Sequence, residues 1–138
     1  MKVSVERFSL DEFRCPCCGV VKVSVSLALL LDILRKMVAA PLVVSSGYRC
    51  LKHNFEVGGV NLSRHIIGCA ADILCPAGVS FDDFYAEAAK LFVPAGGRCL
   101  EYRNRNFLHL AVPRSMSAWL WDGGAADIPP GGFQTQGD

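Results

Sequence analysis

Two segments of the chain carry apolar residues at the spacing of an amphipathic helix. In the first, Ser26–Ala40, apolar side chains recur at positions 27, 30, 31, 34, 37 and 38, and Pro41 stops the pattern. The second begins at Ser80 with Asp83 three residues on, and its apolar positions are 81, 84, 88, 91 and 92. The pattern therefore predicts two helices that each turn one face towards a core.

Shorter apolar runs, bounded by turn residues, predict strands and minor helices. Ser9 and Glu12 have the spacing of a capping box, so a short helix should start there, and residues 51–57 could form one or two further turns. The predicted strands are Val20–Val23, Leu42–Ser46, a strand that ends near Leu74, and the two arms of a hairpin around Asn104-Arg105, Arg98–Arg103 and Asn106–Val112.

The length and the charge of the chain limit the classes of protein to which it could belong. The 138 residues are most simply one domain, which we place at residues 1–127, followed by a flexible tail at 128–138 rich in Pro, Gly and Gln. The 14 Lys and Arg against 13 Asp and Glu give a net charge of +1 without a basic stripe, so a nucleic acid partner is not expected. We expect a monomer.

No segment of the sequence has the character of a membrane span or a secretory signal. The most apolar run, from Val23 to Val44, is interrupted by Asp32, Arg35 and Lys36. The first residues lack a continuous apolar segment, because charge returns at positions 6 and 7. We therefore expect synthesis in a cytoplasm, where cysteine thiols stay reduced.

Seven cysteines are many for this length, and three lie in the turn Cys15-Pro16-Cys17-Cys18-Gly19. Such a turn could begin a zinc knuckle, but a second pair of cysteines with matching spacing is missing. Buried thiols, a disulfide to Cys50 and a structural metal site are the alternatives for this cluster.

A histidine and an aspartate in an otherwise apolar run are the strongest indication of a functional site in the sequence. His65 and Asp72 would be roughly 20 Å apart on an extended strand, so they can share an ion only if the chain bends, and Gly68 is the obvious place. A catalytic zinc site uses about three protein ligands. His109, set among apolar neighbours, would complete a His-Asp-His set; the alternatives are buried core histidines and an aspartate that caps a turn.

Several motifs, in order, resemble the zinc D-alanyl-D-alanine carboxypeptidases and L-alanyl-D-glutamate endopeptidases, a group that includes many phage lysins. They are Phe8-Ser9-Leu10-Asp11-Glu12-Phe13-x-Cys15-x-Cys17, Ser46-Gly47-Tyr48-Arg49, Asn54, Val57-Gly58-Gly59, Ser63-x-His65-x-x-Gly68-x-Ala70-x-Asp72, and Tyr102 followed by Phe107-Leu108-His109. The resemblance implies a compact α+β fold of the D-Ala-D-Ala metallopeptidase (hedgehog-like) type, with a small, mainly antiparallel sheet flanked by helices.

The same resemblance implies the site and its substrate. It implies one catalytic Zn²⁺ on His65, Asp72 and His109, and peptidoglycan stem peptides as the substrate. Arg49 matches the arginine that binds substrate and stabilises the developing oxyanion, a role that suits a planar, permanently charged guanidinium. Ser63 and Tyr102 are further expected substrate contacts.

The general base departs from the family pattern. The family places a carboxylate three residues before or two residues after the last ligand, and here those positions are Asn106 and Ala111. Glu101 is the expected substitute, because a three-residue hairpin loop would set it directly across from His109. A two-residue loop would instead put Leu100 opposite His109 and turn Glu101 away, to pair with a neighbouring arginine.

The sequence thus supports two functions. The first is a zinc-dependent peptidase that cuts an amide bond in peptidoglycan stem peptides and reaches the cell wall after release, with a phage or prophage origin. The second, which the residues at 106 and 111 favour, is an inactive zinc-containing relative that binds cell wall or serves as a phage structural module.

Overall fold

The largest element of the fold is a four-stranded sheet in which all neighbouring strands are antiparallel. The computed structural model describes residues 8–60, 63–116 and, as backbone, 119–120. The strands lie in the order β2-β3-β5-β4. Their bounds are β2 Val43–Ser46, β3 Ala70–Leu74, β4 Arg98–Tyr102 and β5 Phe107–Ala111.

Among the described residues, three α-helices accompany the sheet, and serines cap the two longer ones. In α1, Val25–Val38, the hydroxyl of Ser24 accepts a hydrogen bond from the amide of Leu27. In α3, Phe81–Phe92, the hydroxyl of Ser80 does the same for Asp83. The short α2 covers Leu51–Glu56. These helices confirm the predicted segments, although α1 ends two residues earlier, where Ala39 adopts a left-handed conformation.

The core lies between α1, α3 and one face of the sheet. Helix α1 packs on α3, and α3 packs on β4 and β5. Alternate strand residues point into this core, and they include Ala71, Ile73, Leu108 and Leu110, all fully buried. The residues between them, Asp72 and His109, therefore lie on the opposite face. The expected α+β class, with a small antiparallel sheet flanked by helices, is confirmed.

The chain before β3 forms a helical turn rather than an extended strand. Arg64–Ile67 forms a 3₁₀ helix, and Gly68 ends it at φ +71°, so the expected bend at Gly68 is confirmed. A side chain there would also meet the backbone of Lys22, since an added Cβ would lie 2.9 Å from its carbonyl oxygen. His65 is consequently carried by a helical turn that faces β3.

A second, two-stranded sheet pairs β1, Val23–Ser24, with β6, Trp119–Leu120. The predicted first strand is thus shorter than expected and begins later. A short 3₁₀ helix, Leu10–Phe13, has the expected capping box of Ser9 and Glu12. No helix among the described residues combines the length and hydropathy needed to cross a bilayer. The predicted tail at 128–138 lies outside the described residues, so the division of the chain at 127 stays a prediction.

Candidate metal centre

Asp72 and His109 are brought together by the register of two central strands. In the antiparallel pair of β3 and β5, Asp72 lies directly opposite His109, so both side chains leave the same face of the sheet. Nδ1 of His109 lies 3.0 Å from Oδ1 of Asp72. On the other side of β3, Ser46 of β2 is the register partner of Asp72. The polar face of the sheet is therefore a row of three polar side chains.

His65 reaches the same carboxylate from the 3₁₀ helix. Ser63 caps this helix, because its hydroxyl accepts a hydrogen bond from the amide of His65. Nδ1 of His65 lies 2.7 Å from the carbonyl oxygen of Gly47, which can only accept, so Nδ1 carries the proton. Nε2 then presents a lone pair 3.3 Å from Oδ1 of Asp72.

The lone pair on His65 is the clearest sign that this site fits a cation. The side chain is 2% exposed, and Nε2 has no hydrogen-bond donor among the described residues. Two acceptor atoms, Nε2 and the carboxylate oxygen of Asp72, thus face each other in a buried place, which is unfavourable unless a proton or a metal ion lies between them.

The spacing of the three donor atoms fits a tetrahedral ion. Nitrogen and oxygen ligands bind zinc at about 2.0–2.1 Å, which places neighbouring ligands of a tetrahedron roughly 3.3 Å apart. The two imidazole nitrogens of His65 and His109 lie 3.3 and 3.0 Å from Oδ1 of Asp72. All three donor atoms lie within 4.8 Å of one another. Two neutral imidazoles and one carboxylate are also a donor set that zinc accepts.

The carboxylate stays ionised in this setting. Burial by itself raises the pKa of Asp72, but its hydrogen bond with the imidazole of His109 helps to hold that pKa well below its usual range. Asp72 is therefore an anionic ligand at neutral pH.

Arg49 is held beside Asp72 by three acceptors. Its guanidinium donates to Oγ of Ser46 at 3.1 Å, to Oδ1 of Asn54 at 3.3 Å and to Oδ2 of Asp72 at 3.3 Å. Burial lowers the pKa of Arg49 and the charge of Asp72 opposes that shift, so the guanidinium keeps its charge. Asn54 is itself buried and anchored, since its amide donates to the carbonyl of Val60 at 2.9 Å.

These side chains line an open cleft of about 620 Å³ that is large enough for a small peptide. Ser63 and Tyr102 also line it, and the ring of Tyr102 stacks on Phe107 with centroids 4.7 Å apart. Two lining residues, His53 and Arg105, were not predicted from the sequence. His53 lies next to Asn54 in a motif that we quoted, but nothing in the motif indicates that α2 turns it towards the cleft.

The expectation that Glu101 faces His109 is wrong. The register of β4 and β5 pairs Leu100 with His109 and Glu101 with Leu108, so Glu101 leaves the face that points away from the cleft. There it forms an ion pair with Arg103 at 3.3 Å. The hairpin loop sets this register, because the strands are connected by the 3₁₀ turn Arg103–Arg105 and by Asn106 in a left-handed conformation. The resulting pairing of Leu100 with His109 is the one expected for the two-residue loop.

An imidazole, a carboxylate and a second imidazole around one point, in an open cleft beside a held guanidinium, are the arrangement of a metal-dependent hydrolase. A comparison with family models identifies the family of hydrolases. The family model described as Peptidase M15 matches residues 6–111, which is most of the chain, and the chain therefore belongs to this peptidase family. The resemblance seen in the sequence is thereby confirmed. A comparison with curated proteins found no match.

Proposed function

We propose that the protein is a zinc-dependent peptidase that hydrolyses an amide bond in peptidoglycan stem peptides. The observation that carries this proposal is the buried lone pair of His65, which faces the carboxylate of Asp72 at 3.3 Å. His65, Asp72 and His109 are the proposed ligands. Bound zinc supplies Lewis-acid chemistry: it polarises a carbonyl group and makes water nucleophilic at neutral pH.

The surroundings of the ligands support this role. The carbonyl of Gly47 fixes the tautomer of His65, and Arg49 donates a hydrogen bond to Oδ2 of Asp72, the oxygen that does not face the imidazoles. Such partners hold ligands in their orientation, and losing one typically lowers metal affinity about 10- to 100-fold. The ligand set is therefore supported by neighbours on two sides.

Arg49 is the proposed substrate-binding and oxyanion-stabilising residue. Three of its N–H groups are bound to Ser46, Asn54 and Asp72, which leaves two of the five donors of a guanidinium for a substrate oxygen. The neighbours hold the guanidinium in place before substrate arrives, so little reorganisation is needed. Ser63 and Tyr102 are the proposed further contacts.

The charge of the cleft suits an anionic peptide. Arg49 and Arg105 line it, and in the part of the chain that the structure describes Asp72 is the one carboxylate that does so. A zinc ion would add to this positive excess. Stem peptides carry free carboxylates, so attraction between opposite charges would favour them over neutral peptides.

Zinc content and cleavage should be lost together when a ligand is removed. We expect His65→Ala and Asp72→Ala to lose the zinc of this site and the digestion of purified muropeptides. His53→Ala is the matched control, because it removes a histidine from the same cleft but not from the ligand set, and it should keep the zinc. Full activity of His65→Ala would refute the assignment. The digestion products distinguish a carboxypeptidase, which releases a terminal residue, from an endopeptidase.

A second candidate function is binding without catalysis, as an inactive zinc-containing relative on the cell wall or in a phage particle. The orientation of Glu101 favours it, because that side chain leaves the face away from the cleft, and among the described residues no carboxylate other than Asp72 lines the cleft. Incubation of the zinc-loaded protein with muropeptides separates the two functions. Cleavage supports the peptidase, whereas retention on peptidoglycan without cleavage supports the binder.

A further inference from the structure

A second group of possible metal ligands lies away from the cleft, in the N-terminal turn. The sulfur atoms of Cys15, Cys18 and Cys50 all lie within 4.8 Å of one another, and none of the three forms a disulfide. The sequence suggested the first half of a zinc knuckle and lacked a second cysteine pair. The fold brings in Cys50, the residue that caps α2.

The turn presents the Cys15 sulfur to several backbone donors. The amide of Cys50 donates to this sulfur at 3.5 Å, and the amides of Cys17 and Cys18 lie close to it in the same turn. Gly19 closes the turn at φ +75°, where it donates to the carbonyl of Cys15 at 2.9 Å. Backbone N–H groups directed at a sulfur stabilise the thiolate, which is the form that binds metal.

We propose that Cys15, Cys18 and Cys50 bind a structural Zn²⁺ ion, and that Cys17 supplies the fourth thiolate. Thiolate sets select soft or borderline metals, and structural zinc sites are closed by four protein ligands. Zinc–sulfur bonds of about 2.3 Å place tetrahedral sulfurs roughly 3.8 Å apart, which lies inside the observed limit of 4.8 Å. Cys17 lies in the same turn and interacts with the thiol of Cys50. Its sulfur is outside the group of three that lie within 4.8 Å of one another, so it would move towards the ion on binding.

This ion would join the N-terminal turn to the segment that carries Arg49. Arg49 directly precedes Cys50, and the same segment already contacts the first 3₁₀ helix, because the amide of Tyr48 donates to the carbonyl of Phe13 at 2.9 Å. The proposed site therefore fixes the base of the cleft without contributing to its chemistry. It does not depend on the proposed peptidase activity.

The test is zinc content measured on full-length variants purified with reductant. Because the described residues contain two ligand groups, we expect two zinc ions per chain in the wild type, one in His109→Ala and one in Cys18→Ser. Cys18 is exposed, so its replacement leaves no cavity in the core. Cys75→Ser is the matched control, because Cys75 lies outside the cluster and serine can keep its hydrogen bond to the carbonyl of Val79; this variant should keep both ions.

Spectroscopy separates the two sites without relying on activity. Replacement of zinc by Co²⁺ in His109→Ala should give sulfur-to-cobalt charge-transfer absorption, whereas Co²⁺ in Cys18→Ser should not. We also expect the melting temperature of Cys18→Ser to fall by about 5 °C or more. If Cys18→Ser fails to fold, the zinc content and cobalt spectrum of His109→Ala still decide the question.

Three results would overturn the cysteine site: one zinc in the wild type that disappears with His109→Ala, a cobalt spectrum of His109→Ala without sulfur bands, or a disulfide among these cysteines in the reduced preparation. Loss of zinc only in Cys18→Ser, with full zinc in His109→Ala, would support the cysteine site and reject the His-Asp-His centre. The two proposals can therefore fail separately.

Discussion

Gly47 connects the fold to the proposed metal centre, and its replacement by alanine tests that connection. An added Cβ would lie 2.5 Å from Cα of Phe13 and 2.8 Å from its carbonyl oxygen. Carbon atoms in contact lie about 3.5–4.0 Å apart, so the two backbone segments must separate by roughly 1 Å. Both are backbone atoms, so no side-chain rotation can relieve the clash.

The consequence for the metal centre follows from the hydrogen bond of His65. Its Nδ1 lies 2.7 Å from the carbonyl oxygen of Gly47. A shift of roughly 1 Å would stretch this bond beyond the usual range. We therefore expect Gly47→Ala to bind zinc at the His-Asp-His centre about 10- to 100-fold more weakly, and to lose about 1–3 kcal/mol of unfolding free energy through overpacking.

The measurements are competition with a chromogenic chelator for zinc affinity and urea unfolding for stability. Gly58→Ala is the control, because its added Cβ meets nothing within 4 Å although its φ is +75°. It should cost about 1 kcal/mol through backbone strain and leave the zinc affinity unchanged. Wild-type affinity and stability in Gly47→Ala would show that the backbone contact does not hold His65.

The remaining predictions concern charge and proton transfer. Glu101→Gln should keep the wild-type rate on muropeptides, since Glu101 lies on the face away from His109, and a loss above tenfold would contradict the observed register. Leu100→Glu should raise kcat about tenfold or more, because residue 100 lies opposite His109 and a carboxylate there could accept a proton; an unchanged kcat with full zinc content would count against it. Arg49→Lys should lower kcat about 100-fold when measured on zinc-saturated protein, since lysine lacks the fork of donors. In the zinc-free protein, the lowered pKa of Asp72 stabilises the fold at pH values above the unfolded pKa of about 3.9, and this stability is lost as the pH falls through the folded pKa. Unfolding curves measured at decreasing pH should show this loss in the wild type and not in Asp72→Asn.

Helices and capping residues could be predicted because their signals are local. The capping box of Ser9 and the cap at Ser80 depend on residues three positions apart, and both occur where the pattern placed them. The bend at Gly68 follows from the conformational freedom of glycine and is also present. The 3₁₀ helix that carries His65 was missed, because a short apolar run does not distinguish a helical turn from a strand.

The amino-acid sequence by itself predicted the two core helices, the pairing of two strands as a hairpin and the candidate ligands His65, Asp72 and His109. Residue type and periodicity act over a few positions, so these signals are local. Only the tertiary structure decided the hairpin register, which turned Glu101 away from His109, since a one-residue change in pairing reverses every side chain. It also decided that Gly47 fixes the tautomer of His65 and that Cys50 joins Cys15, because these contacts join segments that are distant along the chain.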